Sequence, residues 1–294
     1  MKICQDARHV FKHVVPETIY IGSFNGTATP GNVHDPPLLH IYLIEKLPGV
    51  PLSSVLQNRS IHSKSFRQHL IQDLARIFAT SCHHRILPAH PHAKGRIGSS
   101  LHQRVDLLTT MSDVQLASEA QAVRDYLPRI EQLPWCLTHG DLIPSNIMVD
   151  PDTGHITGLL DWAEGEWLPL GVGMYAVDEC LGRDDPDKGF LYFEDHEELR
   201  MVFWQTFLGL CECTAIDDGF KAVEVEMARR LGVLLWRGIA FDNGRLDRLV
   251  EEGRDDVEMG KLRVLLDAPS VLSLLTVGQV EHVKDVEGCC LTKV

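Results

Sequence analysis

Leu137-Thr-His-Gly-Asp-Leu-Ile-Pro-Ser-Asn146, followed by Leu159-Leu-Asp161-Trp162, is the stretch on which the reading of this 294-residue chain turns. Between its two halves lie the strand-like runs Asn146 to Val149 and His155 to Leu160, joined by Asp150-Pro-Asp-Thr-Gly154. Turn residues between two apolar runs predict a hairpin. An antiparallel hairpin returns to its starting point, so Asn146 and Asp161 are expected side by side. An amide oxygen and a carboxylate there make a hard, oxygen-only site that suits Mg²⁺ rather than zinc. Asp141 projects from the loop entering the first strand and faces the same cavity without having to bind the metal. A free carboxylate beside a metal-bound phosphate orients a hydroxyl and accepts its proton. Taken singly, each of these residues reads as a turn cap. Taken together, with His-Gly before and Trp after, they read as a site.

Working outward, the chain before this motif begins with a short helix that Val14-Val15-Pro16 ends, since proline pushes its predecessor out of the helical region. Thr18 to Ile21 reads as a strand, Gly22 to Pro37 as a Gly/Pro/Asn-rich loop, and Leu38 to Ile44 as a second strand stopped by Pro48-Gly49. Beyond it the pattern is helical: Phe66, Leu70, Leu74, Ile77 and Phe78 recur at helix spacing. So do Val123, Leu127 and Ile130, and Phe220, Val223, Met227, Leu231 and Leu234. Lys and Arg number 28 against 41 Asp and Glu, a net charge of −13, which leaves no basic surplus for a nucleic acid backbone. No apolar run approaches the length of a membrane span, and the first residues carry no apolar signal segment. Eight cysteines show no disulfide-framework spacing, so a reduced, cytoplasmic protein is expected.

The central motif resembles the catalytic core of the aminoglycoside phosphotransferase and choline kinase-like family, relatives of the protein kinases. The hallmark is His-Gly-Asp, four residues, Asn, a hairpin, then Asp-Trp; protein kinases carry Arg where this chain has Gly140. The resemblance runs from about Val15 to about Ala240. Ile41-Tyr-Leu-Ile-Glu-Lys-Leu-Pro-Gly49 is similar to the family hinge, the helix ending Ser-Cys-His-His84 to the family's Leu-His helix, and Asp161 to Pro169 to the same segment of many fungal members. It implies an α+β, protein kinase-like fold, with residues 1–48 as the remnant of a small N-terminal lobe and hinge. Residues 49–294 would form a mainly helical C-terminal lobe containing the catalytic-loop hairpin. It further implies ATP and Mg²⁺ as cofactors, Asp141 as catalytic base, Asn146 and Asp161 as metal ligands, and the backbone of Glu45, Lys46 and Leu47 against adenine. His139 is expected to be a buried, hydrogen-bonded packing residue of the loop.

Family members open with a glycine-rich hairpin and a strand carrying a phosphate-binding lysine. Neither is found: Gly22-Ser-Phe-Asn-Gly26 comes after the opening helix, Lys2 and Lys12 sit in or before it, and the nearest partners for such a lysine are Gln5 and Asp6. A reduced small lobe with several tens of residues missing from the front is the expectation. Loss of loop and lysine together would cost about 10⁴ in rate if nothing substitutes. Three readings stay open: a shortened gene product still acting as a small-molecule O-phosphotransferase, a non-catalytic pseudokinase-type binding or regulatory protein, and a repurposed enzyme of specialised metabolism. From Asp178 to Glu198 the chain is rich in acid. Asp178 and Glu179, with Glu164 and Glu166 beside the metal aspartate, are candidates to hold a cationic small-molecule acceptor; for the rest a solvated face is the plainer reading. His83, His84, His90 and His92 match no zinc spacing and read as loop and helix-end residues. Cys211 and Cys213 read as core, and the last four residues, Leu-Thr-Lys-Val, after Cys289-Cys290 form no prenylation box.

Overall fold

Helix α1 (Lys2–Phe11) turns Ala7, Val10 and Phe11 inward, and a 3-10 turn at Lys12–Val14 ends it ahead of Pro16. The computed structural model describes residues 2–25, 38–56, 63–86, 95–211, 222–242 and 245–268. Strands β1 (Thr18–Asn25) and β2 (Leu38–Ile44) follow as an antiparallel hairpin with a bulge at Ile21. The expected loop from Gly22 therefore begins later. Gly22 to Asn25 pair with Ile41 to Leu38, and this pairing outweighs the turn propensity of glycine and asparagine. Residues 26–37 lie outside the described residues. Ile19, Ile21, Phe24, Leu38, Leu43 and Ile44 are 46–60% exposed, so the hairpin contributes little to the core.

Below the hairpin the body is helical. After β3 (Val50–Pro51) come α2 (Leu52–Leu56), α3 (Lys64–His83), α4 (Leu101–Leu108) and α5 (Val114–Ile130). The Ser63 hydroxyl accepts the Phe66 N–H at 3.2 Å to start α3, and Asp113 accepts from Gln115 and Leu116 to start α5. Phe66, Leu70 and Leu74 on α3, and Val123, Leu127 and Ile130 on α5, are buried as the helical spacing required. Helices α6 (Tyr175–Cys180), α7 (His196–Cys211), α8 (Ala222–Arg237) and α9 (Asp256–Leu266) complete it, with α7 against α3 and α8 between α5 and α9.

Into this body are set short antiparallel pairs. β4 (Trp135–Thr138) runs against β7 (Glu166–Pro169), and β5 (Ile147–Val149) pairs with both β3 and β6 (Ile156–Leu159). The central hairpin is thus present where it was expected, with Asn146 placed in a 3-10 turn (Pro144–Asn146) just ahead of it. The turn is built by Asp150, whose Oδ1 accepts the N–H groups of Asp152 and Thr153 at 2.9 Å, and by Gly154 at φ +79°. Three pairs were not anticipated: β4 with β7, β8 (Gly182–Asp185) with β9 (Gly189–Tyr192), and β10 (Ile239–Asp242) with β11 (Arg245–Leu249). Strands of four or five residues are too short to show a period. The architecture is α+β, and none of the described helices is long and apolar enough to cross a membrane.

Candidate functional site

The β4 strand is buried at every residue and delivers the chain to His139, Gly140 and Asp141 at its end. Gly140 has φ +83°, and a Cβ there would lie 2.1 Å from the Glu164 carbonyl oxygen. Only glycine lets the loop turn this close to the segment after Asp161. His139 joins the same two segments: Nε2 donates to the Leu160 carbonyl at 2.6 Å, Nδ1 accepts the Asp141 N–H, and the ring packs on Trp162 at 4.6 Å. Burial holds its pKa down to about 4, so it is neutral and structural, not a proton carrier.

Asn146 donates from Nδ2 to the Asp141 carbonyl at 2.8 Å and to Asp141 Oδ2 at 3.1 Å. Its own carbonyl accepts the Leu160 N–H at 2.8 Å, which closes the ribbon and brings Asp161 beside it. Asp161 sits at φ +58°, and among the described residues only it and Lys12 combine a side chain with positive φ. Such a conformation is retained where surroundings over-determine it; the Asp161 side chain is exposed, and its Oδ1 accepts the Ala163 N–H at 3.5 Å. The Asp141 carboxyl is pushed above its ordinary pKa. Burial is the main cause, opposed by the Asn146 bond and the Arg237 charge and reinforced by Asp161 and Glu164. Asp161 and Glu164 thus act on Asp141 as neighbouring like charges.

Asp141 and Gly140 form one side of a cavity of about 370 Å³. The facing side comes from the end of α8 and from β10, with Trp236, Arg237, Ile239 and Phe241. Trp236 stacks on Tyr175 at 5.0 Å, and the Tyr175 hydroxyl accepts the Leu142 N–H at 2.9 Å. The cavity wall is thereby braced against the loop that carries Asp141. The motif gave no sign of Tyr175, Trp236 or Arg237; the only trace of them was the helical period ending at Leu234.

The four acceptor candidates separate. Glu164 lines the cavity, paired with Arg96 at 2.7 Å. Glu166 is buried and accepts the N–H groups of Ile97 and Gly98 at 2.9 and 3.0 Å, so it braces the segment before α4. Asp178 is fully buried between Arg200 and Arg229, and Glu179 is held by Arg237 and by Lys261 at 2.7 Å. Burial alone would raise the Asp178 carboxyl, but the two guanidiniums outweigh it and hold it below the ordinary range. Glu166, Asp178 and Glu179 are therefore corrected from acceptor candidates to structural residues, because their oxygens are already used. At the hinge the Glu45 N–H is spent on the Glu17 carbonyl at 2.9 Å, whereas Leu47 is buried against Gly158. His83 and His84 bond the carbonyls of Leu210 and Thr80, as helix-end residues do; His90 and His92 lie outside the described residues. Cys211 is a buried thiol beside the Cys82 thiol, and Cys213, Cys289 and Cys290 also lie outside.

Among the described residues no three His, Cys, Asp or Glu side chains gather as a ligand set. The chain itself offers two oxygens, the Asn146 amide and the Asp161 carboxylate. That fits Mg²⁺, which takes one or two protein groups and completes its shell with phosphate and water.

No curated protein matches the chain. Solved structures similar to it include a choline/ethanolamine kinase family protein from Mesorhizobium loti, at 13% identity over 95% of this chain and 82% of that one, TM-score 0.48. Choline kinase from Cryptosporidium parvum is 14% identical over 94% and 79%, TM-score 0.47. An aminoglycoside-3'-phosphotransferase of type VIII is 16% identical over 78% and 77%, TM-score 0.46. The model of the phosphotransferase enzyme family (APH) matches residues 6–171. That match spans more than half of the chain and contains Asp141, Asn146 and Asp161, and the chain belongs to the phosphotransferase enzyme family, with the kinase-like α+β fold expected of it.

Proposed function

We propose that this protein transfers the terminal phosphoryl group of ATP to a hydroxyl of a small molecule, with Mg²⁺. The observation that carries the reading is the bond from Asn146 Nδ2 to Asp141 Oδ2, made where Asp141 borders the cavity. Asp141 Oδ1 has no partner among the described residues and is the atom that takes the proton. As the acceptor oxygen bonds to phosphorus, its proton passes to Asp141 and the bond to the leaving ADP oxygen breaks. Asn146 restricts Asp141 to one orientation, and positioning of this kind supplies much of the catalysis in phosphoryl transfer. Asn146 Oδ1 and the Asp161 carboxylate would hold the Mg²⁺, which when bound neutralises charge on the phosphates. Residues 1–48 act as the small lobe and hinge, where Lys46 and Leu47 offer backbone to adenine and Glu45 closes the hairpin instead.

The test is Asp141→Asn. Mg²⁺-ATP should still raise the melting temperature, since a ligand that binds only the native state stabilises it. ADP formation should fall by about 10²–10⁴-fold, the usual contribution of a positioned base. Unchanged turnover removes Asp141 from the mechanism. A thermal shift with ATP but no turnover by the native protein moves the reading to a non-catalytic nucleotide-binding protein.

A further inference from the structure

No other strand pairs with the β1–β2 hairpin among the described residues. Its register sorts the side chains onto two faces, because neighbours along a strand point in opposite directions. Leu39, Ile41 and Leu43 alternate with Leu38, His40, Tyr42 and Ile44, and the cross-strand pairs Phe24 with Leu39 and Ile19 with Leu43 extend the first set. Tyr20 lies 5.4 Å from Tyr42 and 6.0 Å from His40, which places it on the second. That second face is mixed, with Thr18 opposite Ile44 and Ser23 opposite His40. The first carries Ile19, Phe24, Leu39, Ile41 and Leu43 and no polar side chain among the described residues, yet these five are 44–59% exposed. Such alternation belongs to an antiparallel sheet with one face packed and one wet. A contiguous apolar patch left open to water marks an interaction site.

Size, charge and symmetry point to the occupant. A large apolar side chain carries roughly 200 Å² of surface, so five at half exposure offer on the order of 500 Å² per copy. Two such faces together bury ~1,000 Å², the size at which an interface becomes specific. Strands β1 and β2 contain no Asp, Glu, Lys or Arg, in a chain whose net charge is −13. A charged partner finds nothing to hold there, whereas two copies can meet on this face without setting like charges opposite one another. Small twisted sheets pack face to face as in a sandwich, and a two-fold axis makes the patch its own complement and closes the contact.

We propose that this protein forms a two-fold dimer in which the hairpin face of Ile19, Phe24, Leu39, Ile41 and Leu43 packs on the same face of a second copy. The dimer is independent of the phosphotransferase reading, since no residue of the cavity beside Asp141 takes part in it.

Sedimentation velocity of the full chain from about 1 to 200 µM should show a reversible monomer–dimer equilibrium, with a dissociation constant of about 10 µM for an interface of this size. Leu39→Lys/Leu43→Lys sets two positive charges per copy on the face and should weaken the dimer roughly a hundredfold. Both positions are exposed, so the melting temperature at low protein concentration should not change. Ser23→Lys/Tyr42→Lys puts the same charges on the opposite face and should dimerise as the native chain does. Ile19→Lys alone should weaken the dimer roughly tenfold, and it decides the question if the double variant loses its helical circular dichroism. The proposal is overturned by a native chain that stays monomeric at the highest concentration. A dimer that persists in Leu39→Lys/Leu43→Lys, or one lost equally in Ser23→Lys/Tyr42→Lys, overturns it too. Growth beyond the dimer would show that no two-fold axis closes the contact. A monomer that sediments with phosphatidylcholine vesicles would assign the face to a lipid surface instead.

Discussion

In the proposed reaction Asp141 must be ionised to accept a proton, so whatever raises its pKa moves the acid limb of the rate profile to higher pH. Burial does this first, and the neighbouring carboxylates of Asp161 and Glu164 add to it. Glu164→Gln removes one of those charges from a half-exposed position without touching the core. The acid limb of kcat against pH should therefore move to lower pH in that variant. A limb that stays in place would show that Asp141 is not the group titrating. His139 yields a stability prediction of opposite origin. Its folded pKa is about 4 against an ordinary 6.5, so between those values the unfolded chain takes up a proton that the folded chain refuses. Stability is fully present above pH 6.5 and falls as the pH drops through about 4, by ~3 kcal/mol from this group. Denaturant titrations at several pH values check this; in His139→Gln the slope over that window should lose one proton's worth.

At the scale of elements, the site depends on how closely backbones approach one another. Gly140 lets the loop after β4 meet the Glu164 carbonyl, and Gly232 lets α8 meet the Val172 carbonyl. Gly232 is the sharper test because propensity and packing disagree in sign. Alanine is favoured over glycine inside a helix by about 1 kcal/mol. A Cβ at Gly232, however, would sit 1.9 Å from Val172 O, a fixed backbone atom. Shifts forced by overpacking cost roughly 1–3 kcal/mol, so Gly232→Ala should lower stability in denaturant titration despite its better propensity. A gain in stability would mean that α8 is free to move away from Val172, and the bracing of Trp236 on Tyr175 would lose its rigidity.

Across the whole molecule, the buried charges link the helices. Asp178 on α6 meets Arg200 of α7 and Arg229 of α8; Glu179 meets Arg237 of α8 and Lys261 of α9; Arg230 reaches Glu119 of α5. Breaking such a network by removing one partner costs about 3–5 kcal/mol, because the opposite charge is left buried. Asp178→Ala should therefore destabilise the fold by that order, as read from the denaturation midpoint, whereas Phe241→Ala, at a 66% exposed ring beside the cavity, should leave the midpoint nearly unchanged. This network also marks the limit of what the residues alone disclose. The proximity of Asp141, Asn146 and Asp161, the proposed catalytic set, was legible because they lie within one loop and one hairpin, and a hairpin's ends meet whatever surrounds them. The helices of residues 64–83 and 114–130 were legible for the same local reason, since burial repeats at the helical period. The extent of β1 and the pairing of β4 with β7 were not, because partners, not propensity, set the ends of short strands. Nor were the roles of Asp178, Glu179 and Arg237. An acidic residue reads alike whether it awaits a ligand or an arginine fifty residues on, and only the packing of α6 to α9 selects between them. The family's motif was thus written in contiguous sequence, while the shape and charge of the cavity beside Asp141 were decided by helix packing, which joins residues no local pattern relates.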